Sequence, residues 1–303
     1  MKAAFIRHYG NNDAIEISHQ PMPAIGPHDV LIKVHAASIN PVDYKIRDGD
    51  LKVILPLKFP LILGNDCSGE VEKIGTDVRA FKPGDAVYAR VDKDRIGTFA
   101  EYAVAAESSI ALKPNNLSYI EAASIPLVGL TAWQALIDIG KLTSGGKVLV
   151  HAGSGGVGTF AIQLAKHWGA AVATTASARN ADLLKQLGAD IVIDYKTQRF
   201  EEMLSDYDLV FDTQAGETPT ALVLRVKTRR HPRHYRGHAH RGNRPRMGRE
   251  FSRSHGDGVE QPHLDQTRAG TRHQFQIFIH ASQRRAITRD CQAHRKRRYQ
   301  TAD

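Results

Sequence analysis

The segment HAGSGGVG at 151–158 places glycines at 153, 155 and 158 in a G-x-G-x-x-G spacing. The chemistry such a spacing serves is phosphate binding. A backbone without Cβ lets a pyrophosphate approach closely, and a following helix offers unpaired N–H groups and the positive end of its dipole. A tight turn used for packing alone is the other reading of the same glycines. Further on, where a dinucleotide-binding strand usually ends in a carboxylate for the ribose 2′-hydroxyl, the chain reads Ser177-Ala178-Arg179-Asn180. A carboxylate repels a 2′-phosphate, whereas a guanidinium and a hydroxyl bind one, so this segment favours NADP(H). The plain alternative for Arg179 is a solvated charge at a helix start.

These residues need elements to hold them. KVLVH at 147–151 is an apolar run of strand length, and VGTFAIQLAKHWG at 157–169 spaces Phe160, Ile162, Leu164, Ala165 and Trp168 at helical intervals before a stop glycine. AAVATTAS (170–177), NADLLKQLGA (180–189), DIVID (190–194) and YDLVFDT (207–213) continue as strand, helix, strand and strand. That alternation predicts a parallel sheet covered by helices. Before residue 120 the rhythm differs. DVLIKVHAASI (29–39), DCSGEVEKIG (66–75), GDAVYARV (84–91) and GTFAEYAVA (97–105) are short strand candidates between turn residues, with no convincing helix among them. They predict a small antiparallel, barrel-like unit. SYIEAASIPLVGLTAWQALID at 118–138 reads as two helical stretches linking the halves.

Two cysteines, Cys67 and Cys291, exclude a disulfide framework and a four-cysteine zinc lobe, and suit a reducing compartment. The start MKAAFIRHYG has no apolar core of a signal peptide, and no run is apolar enough to span a membrane. A soluble cytoplasmic protein is the expectation. The formal charge of +9 is uneven: residues 217–303 carry 20 Lys+Arg against 7 Asp+Glu, so the remainder is net acidic.

ASINPVDYKIRDG (37–49), LGNDCSGEV (63–71), GTFAEYAV (97–104), IPLVGLTAWQAL (125–136) and HAGSGGVGTFAIQLAK (151–166) together resemble the zinc-free medium-chain dehydrogenase/reductase family, in particular its quinone oxidoreductases. The resemblance covers about residues 1–226. It implies an α/β protein with a GroES-like β-barrel domain at 1–120 and a partial Rossmann NADP-binding domain, a doubly wound parallel sheet, at 121–226. Zinc-dependent relatives supply metal ligands where this chain has Asn40 and Asn65-Asp66, so no metal site is expected. By resemblance Asn40 sits near the nicotinamide and positions the substrate carbonyl, Thr131 lies on the opposite wall, and Ser154, Gly155, Gly156 and Val157 take the pyrophosphate. Ser177, Arg179 and Tyr195 then surround the 2′-phosphate. Asn40 capping a turn before Pro41, and Tyr195 as ordinary packing, are the alternatives. The implied reaction is hydride transfer from NADPH to a quinone or α,β-unsaturated carbonyl, with a homodimer as the usual assembly.

Relatives continue past the FDT strand with a Gly-Gly turn and an apolar strand, but here the chain turns arginine- and histidine-rich, as in KTRRHPRHYRGHAHRG at 227–242. Binding of nucleic acid through charge is one reading. A metal-binding cluster of His231, His234, His238 and His240 is another, with spacing that fits no common site. The genetic code supplies a third. TRRHPRHYRGHAH at 228–240 has a permitted codon choice that reads RGGTLVIIAGMP from its second base, which restores the missing turn and strand. One extra adenine at Lys227 produces the whole tail. An out-of-frame tail is expected to be largely disordered, leaving the sheet with an unpaired edge after YDLVFDT and the enzyme impaired.

Overall fold

The computed structural model describes residues 1–214 and the strand 222–225. The tail from 227, with its expected disorder and its metal- and nucleic-acid-binding readings, lies outside the described residues. In the first half, β1 (Lys2–Ile6) pairs antiparallel with β2 (Glu16–His19) and β4 (Leu61–Ile62). A five-stranded antiparallel sheet runs in the order β7-β3-β5-β6-β8, built from β3 (Asp29–Ala37), β5 (Asp66–Ile74), β6 (Ala86–Arg90), β7 (Tyr102–Ala106) and β8 (Ile110–Leu112). The apolar positions of these strands converge on one core, where Ile6, Val30, Ile32 and Val87 are fully buried. This is the predicted barrel-like unit.

One expectation for this half fails. A helix, α1 (Pro41–Asp48), follows β3 directly. Its signals are local: Asn40 is extended, Pro41 occupies the first helical position, and the Asp43 carboxylate accepts from the Asn40 N–H at 2.6 Å. Gly49 ends it at φ +86°.

The link between the halves folds as two helices, α2 (Tyr119–Ala123) and α3 (Pro126–Trp133). Ser118 and Glu121 form a reciprocal capping box at the start of α2, and Pro126 opens α3. The chain then runs through a π-helical segment, Gln134–Ile139. The second half holds β9 (Lys147–Val150), α4 (Gly156–His167), β10 (Ala171–Ala176), α5 (Ala181–Gln186), β11 (Ile191–Asp194), a short α6 (Phe200–Met203) and β12 (Leu209–Asp212). Its sheet order begins β11-β10-β9-β12, all four parallel, as the alternation of strand and helix predicts. Ala161, Ile162, Leu164 and Ala165 of α4 pack onto Val148, Val150 and Val172 beneath, and Trp168 meets Trp133 edge to face at 5.5 Å.

The fold is therefore a GroES-like domain joined to a Rossmann-like domain, with one departure at the far edge. The expected unpaired edge beyond YDLVFDT is occupied by β13 (Leu222–Arg225), which runs antiparallel to β12 in the register Leu209↔Arg225 to Asp212↔Leu222. A parallel neighbour needs a crossover of a dozen or more residues, whereas the short connection after Asp212 permits only a hairpin return.

Candidate functional site

The glycine turn lies where β9 gives way to α4. His151 donates its backbone N–H to the Phe211 carbonyl at 2.9 Å, which fixes the end of β9 against β12. Ala152 turns the chain at φ +53°, and Gly153 then donates to the Thr175 carbonyl at 3.0 Å. The Thr175 hydroxyl accepts from the Ala152 N–H at 3.3 Å and stands 3.0 Å from His151 Nδ1.

The glycines of this turn answer to different demands. A Cβ on Gly153 would lie 2.0 Å from Thr174 Oγ1, and one on Gly158 would lie 2.4 Å from the Ala152 carbonyl oxygen. Both are therefore required by the packing of helix on strand. Gly155 is not: its backbone is extended, and the nearest atom to an added Cβ is 3.4 Å away. Gly155 precedes the first turn of α4, which has no side-chain cap, so its N-terminal N–H groups stay open. Ser154, Gly155 and Gly156 are exposed, while the Val157 side chain packs on the core and leaves its backbone to the turn. A Cβ at Gly155 would fill this open cradle with no more than an ordinary contact to the Ala152 carbonyl oxygen. The residues present thus fit a pyrophosphate held by helix N–H groups.

At the end of β10, the register Ala176↔Asp194 sets Ser177 beside Tyr195, whose N–H reaches toward the Ala176 carbonyl at 3.4 Å. Ser177 opens a 3-10 turn over Ala178–Asn180, and the Asn180 side-chain amide approaches its hydroxyl at 3.4 Å. Arg179 is exposed and makes no ion pair among the described residues. Tyr195 is 62% exposed, so its phenol is not core packing. The structure gathers Ser177, Arg179 and Tyr195 at one strand end.

Asn40 and Thr131 belong to the barrel side and to α3, and a buried carboxylate connects them. Asp66, fully buried, accepts from the Ser38 hydroxyl at 2.6 Å, the Asn40 amide Nδ2 at 2.9 Å and the Leu127 N–H at 3.0 Å. Leu127 lies in the first turn of α3, and the Thr131 hydroxyl donates back to the Leu127 carbonyl at 2.7 Å. The adjacent Val128 stands 3.4 Å from where a Cβ on Gly156 would sit, so α3 borders the glycine turn as well. The Asn40 Nδ2 also lies 3.2 Å from Ser38 Oγ, so both of its N–H groups are engaged, and Oδ1, which faces the Asp43 backbone N–H at the start of α1, has its second lone pair to offer a ligand.

Burial pushes the Asp66 carboxyl up to about 6, with the charge of Asp43 adding to it and the bonds from Ser38, Leu127 and Asn40 opposing it. Burial likewise raises Asp43, which accepts from the Asn65 side chain at 2.7 Å, and lowers Arg90, whose guanidinium lies 3.4 Å from Asn65 Oδ1. Burial pushes the Cys67 thiol up to about 12, which keeps it protonated and inert. The positions of Asn40, Asn65 and Asp66 are thus filled by an amide–carboxylate network, and among the described residues no three His, Cys, Asp or Glu gather to hold a metal. Ser38, Asp43 and the Leu127 amide were not legible as site residues in the sequence. The N-P-x-D run at 40–43, a helix-start signature, is the signal that could have found Asp43.

Comparison with known proteins agrees with this geometry. The alcohol dehydrogenase GroES-like domain family matches residues 26–115, and the zinc-binding dehydrogenase family matches residues 156–226. The NAD(P)H oxidoreductase RTN4IP1 of Danio rerio mitochondria is 41% identical over 72% of this chain and 62% of its own length. The NADPH-dependent alkenal/one oxidoreductase of Arabidopsis thaliana chloroplasts is 42% identical over 70% of this chain and 57% of its own. The chain therefore spans about three fifths of the curated relatives it matches. The structure of the quinone oxidoreductase from Coxiella burnetii superposes with a TM-score of 0.66 at 42% identity, over 72% of this chain and 69% of that one. Among the described residues no helix is long and apolar enough to cross a membrane.

Proposed function

The chain belongs to the zinc-free, quinone oxidoreductase-like branch of the medium-chain dehydrogenase/reductase family, and on that premise we propose an NADPH-dependent, zinc-independent oxidoreductase that reduces a quinone or an α,β-unsaturated carbonyl. The observation that carries the reading is the open cradle at Gly155, a glycine that neither the packing nor the backbone requires. When bound, NADPH supplies the hydride. The protein's part is to hold and orient. The Gly156 and Val157 N–H groups at the start of α4, with Ser154, take the pyrophosphate, and Gly155, whose own N–H is held by the Ala152 carbonyl at 3.0 Å, leaves it room. Ser177 and the exposed Arg179 take the 2′-phosphate, with Tyr195 beside them. Thr131 and Asn40 stand on the two walls of the nicotinamide end. Because both Asn40 N–H groups point into the protein, Asn40 serves there as an acceptor for an N–H, such as that of a carboxamide, and leaves the substrate carbonyl to other groups.

The test is a titration of the chain with NADPH and NADH, followed by turnover with a quinone and an enone. NADPH is expected to bind about 10-fold or more tighter than NADH, and Arg179→Ala to erase that difference while leaving NADH binding unchanged, as for loss of one charge-assisted contact. Equal binding of the two dinucleotides by the unaltered chain would sink the NADP(H) assignment.

The residues past 226 form part of the same proposal. The zinc-binding dehydrogenase match stops at 226, one residue before the position where a single extra base brings the sequence out of frame. That coincidence supports an out-of-frame tail and an impaired enzyme over a nucleic-acid-binding one. A homodimer and a cytoplasmic location go with the in-frame protein in this proposal.

A further inference from the structure

Asp66 is among the most buried carboxylates of the chain, and its three partners come from different elements. Ser38 and Asn40 belong to the barrel side, at the exit of β3 and the start of α1. The Leu127 N–H belongs to α3, the helix that carries Thr131 and borders the glycine turn. We infer that Asp66 is a positioning residue, which joins the two walls of the cleft and decides which atom of Asn40 a ligand meets. The inference rests on the cofactor site proposed above.

The donor count gives the reason. A carboxylate accepts only, so the Asn40 amide must turn Nδ2 toward it, and Oδ1 is left for a ligand. Oδ2 takes the Leu127 N–H while Oδ1 takes Ser38 and Asn40. Asn at 66 satisfies this set only if its NH₂ faces Ser38 and Asn40, which requires the Ser38 hydroxyl to accept and the Asn40 amide to turn over and present Nδ2 to a ligand. The place of the Asn40 side chain against the Asp43 N–H, at the start of α1, opposes that turn and favours keeping the carbonyl on Ser38 and Asn40. The NH₂ then confronts the Leu127 N–H, and the first turn of α3 is released. The charged groups around Asp66 are Asp43, held by Asn65 and the Asn40 N–H, and Arg90, and their hydrogen bonds go to Asn40 and Asn65 and not to α3.

The experiment compares the full chain with Asp66→Asn by amide hydrogen exchange and by kinetics. Exchange at the first turn of α3 is expected to rise about fivefold or more, as for the loss of one hydrogen bond, with α4 unchanged. Turnover of quinone or enone is expected to fall about 10- to 100-fold, with KM for NADPH within about twofold, because misplacement affects the reacting end and not the pyrophosphate. Ser38→Ala, which keeps the carboxylate and the Leu127 bond, should leave exchange in α3 as it was. If Asp66→Asn does not fold, Asp66→Ser, whose smaller side chain leaves room for water, carries the same readouts. Unchanged exchange in α3, or a rise spread evenly over the barrel, overturns the inference. An unaltered chain that fails to bind NADPH overturns the cofactor reading, and the exchange measurement then decides the role of Asp66 alone.

Discussion

Gly153, Gly155 and Gly158 look alike in the sequence and differ in what holds them as glycine. A Cβ at Gly158 would sit 2.4 Å from a carbonyl oxygen of the backbone, which cannot move aside, whereas at Gly155 it would meet nothing closer than 3.4 Å. Gly158→Ala is therefore expected to destabilise the fold by about 1–3 kcal/mol or more, as overpacking does. Gly155→Ala should shift stability by less than about 0.5 kcal/mol yet weaken NADPH binding about 10-fold or more, since the methyl occupies the ligand's place. Chemical unfolding and cofactor titration on the two variants check both halves. A Gly155→Ala variant that binds NADPH normally would return Gly155 to the packing reading. The residue scale also carries a pH effect. The Asp66 carboxyl is pushed up to about 6, chiefly by burial, so the folded chain still holds that proton where the unfolded chain has released it. Its stabilising contribution is full below about pH 4 and is lost as pH rises through about 6, a swing of about 3 kcal/mol. Relative to Asp66→Asn, the unaltered chain should therefore lose stability between about pH 4 and about pH 7. A parallel pair of stability–pH curves, measured by urea unfolding, would show that burial does not govern this group.

At the scale of elements, what the sequence disclosed and what it hid follow from the range of the forces involved. The parallel sheet was legible because β9, α4 and β10 each show their period within one short window, and Gly169 stops α4 at φ +83°. The glycine turn was legible from its spacing, and Ser177 and Arg179 from their place at the end of β10, whereas Tyr195 came from the resemblance alone. α1 was overlooked among strand candidates although its cap, its Pro41 and its Gly49 were all present, because an eight-residue helix offers little periodicity to see. Asp66 was invisible as a connector. Its partners stand 26, 28 and 61 residues away, and no local pattern reports a bond over that separation. β13 was equally hidden, since its pairing with β12 depends on how the chain returns and not on any motif. The overlooked helix makes its own prediction. Gly49 has φ +86°, and a Cβ there would lie 3.0 Å from the Tyr9 ring. Gly49→Ala is expected to cost about 1–2 kcal/mol through strain at the helix end, against a gain for Gly→Ala in an open site. Thermal unfolding of the variant decides it, and an unchanged or raised Tm would mean that Tyr9 yields and the cap is not strained.

At the scale of the whole chain, the agreement of sequence with fold runs through β12, and the composition changes beyond it. Through β12 the sequence agrees with the fold at each level, from caps to hydrophobic period to core, as natural sequences do. From 217 onward 20 basic residues stand against 7 acidic ones, 18 of the 20 being arginine, and the in-phase family match ends at 226. Selection for charge alone does not explain why a permitted codon choice, read in the shifted frame, spells a Gly-Gly turn followed by an apolar strand. A Rossmann half needs those later strands to bury the far side of its sheet, and marginal stability leaves little margin for losing them. Removing one base at the Lys227 codon is therefore expected to produce a chain that unfolds cooperatively at a higher Tm, gains further Tm with NADPH, and reduces quinone or enone. Side by side, the chain as it stands should show a broader transition and a smaller shift with NADPH. If the two chains have the same NADPH response, the tail does not impair the site. If instead the chain as it stands retards RNA or DNA in a salt-dependent way that is lost on truncation at 226, the basic tail is a binding segment and the out-of-frame reading is wrong.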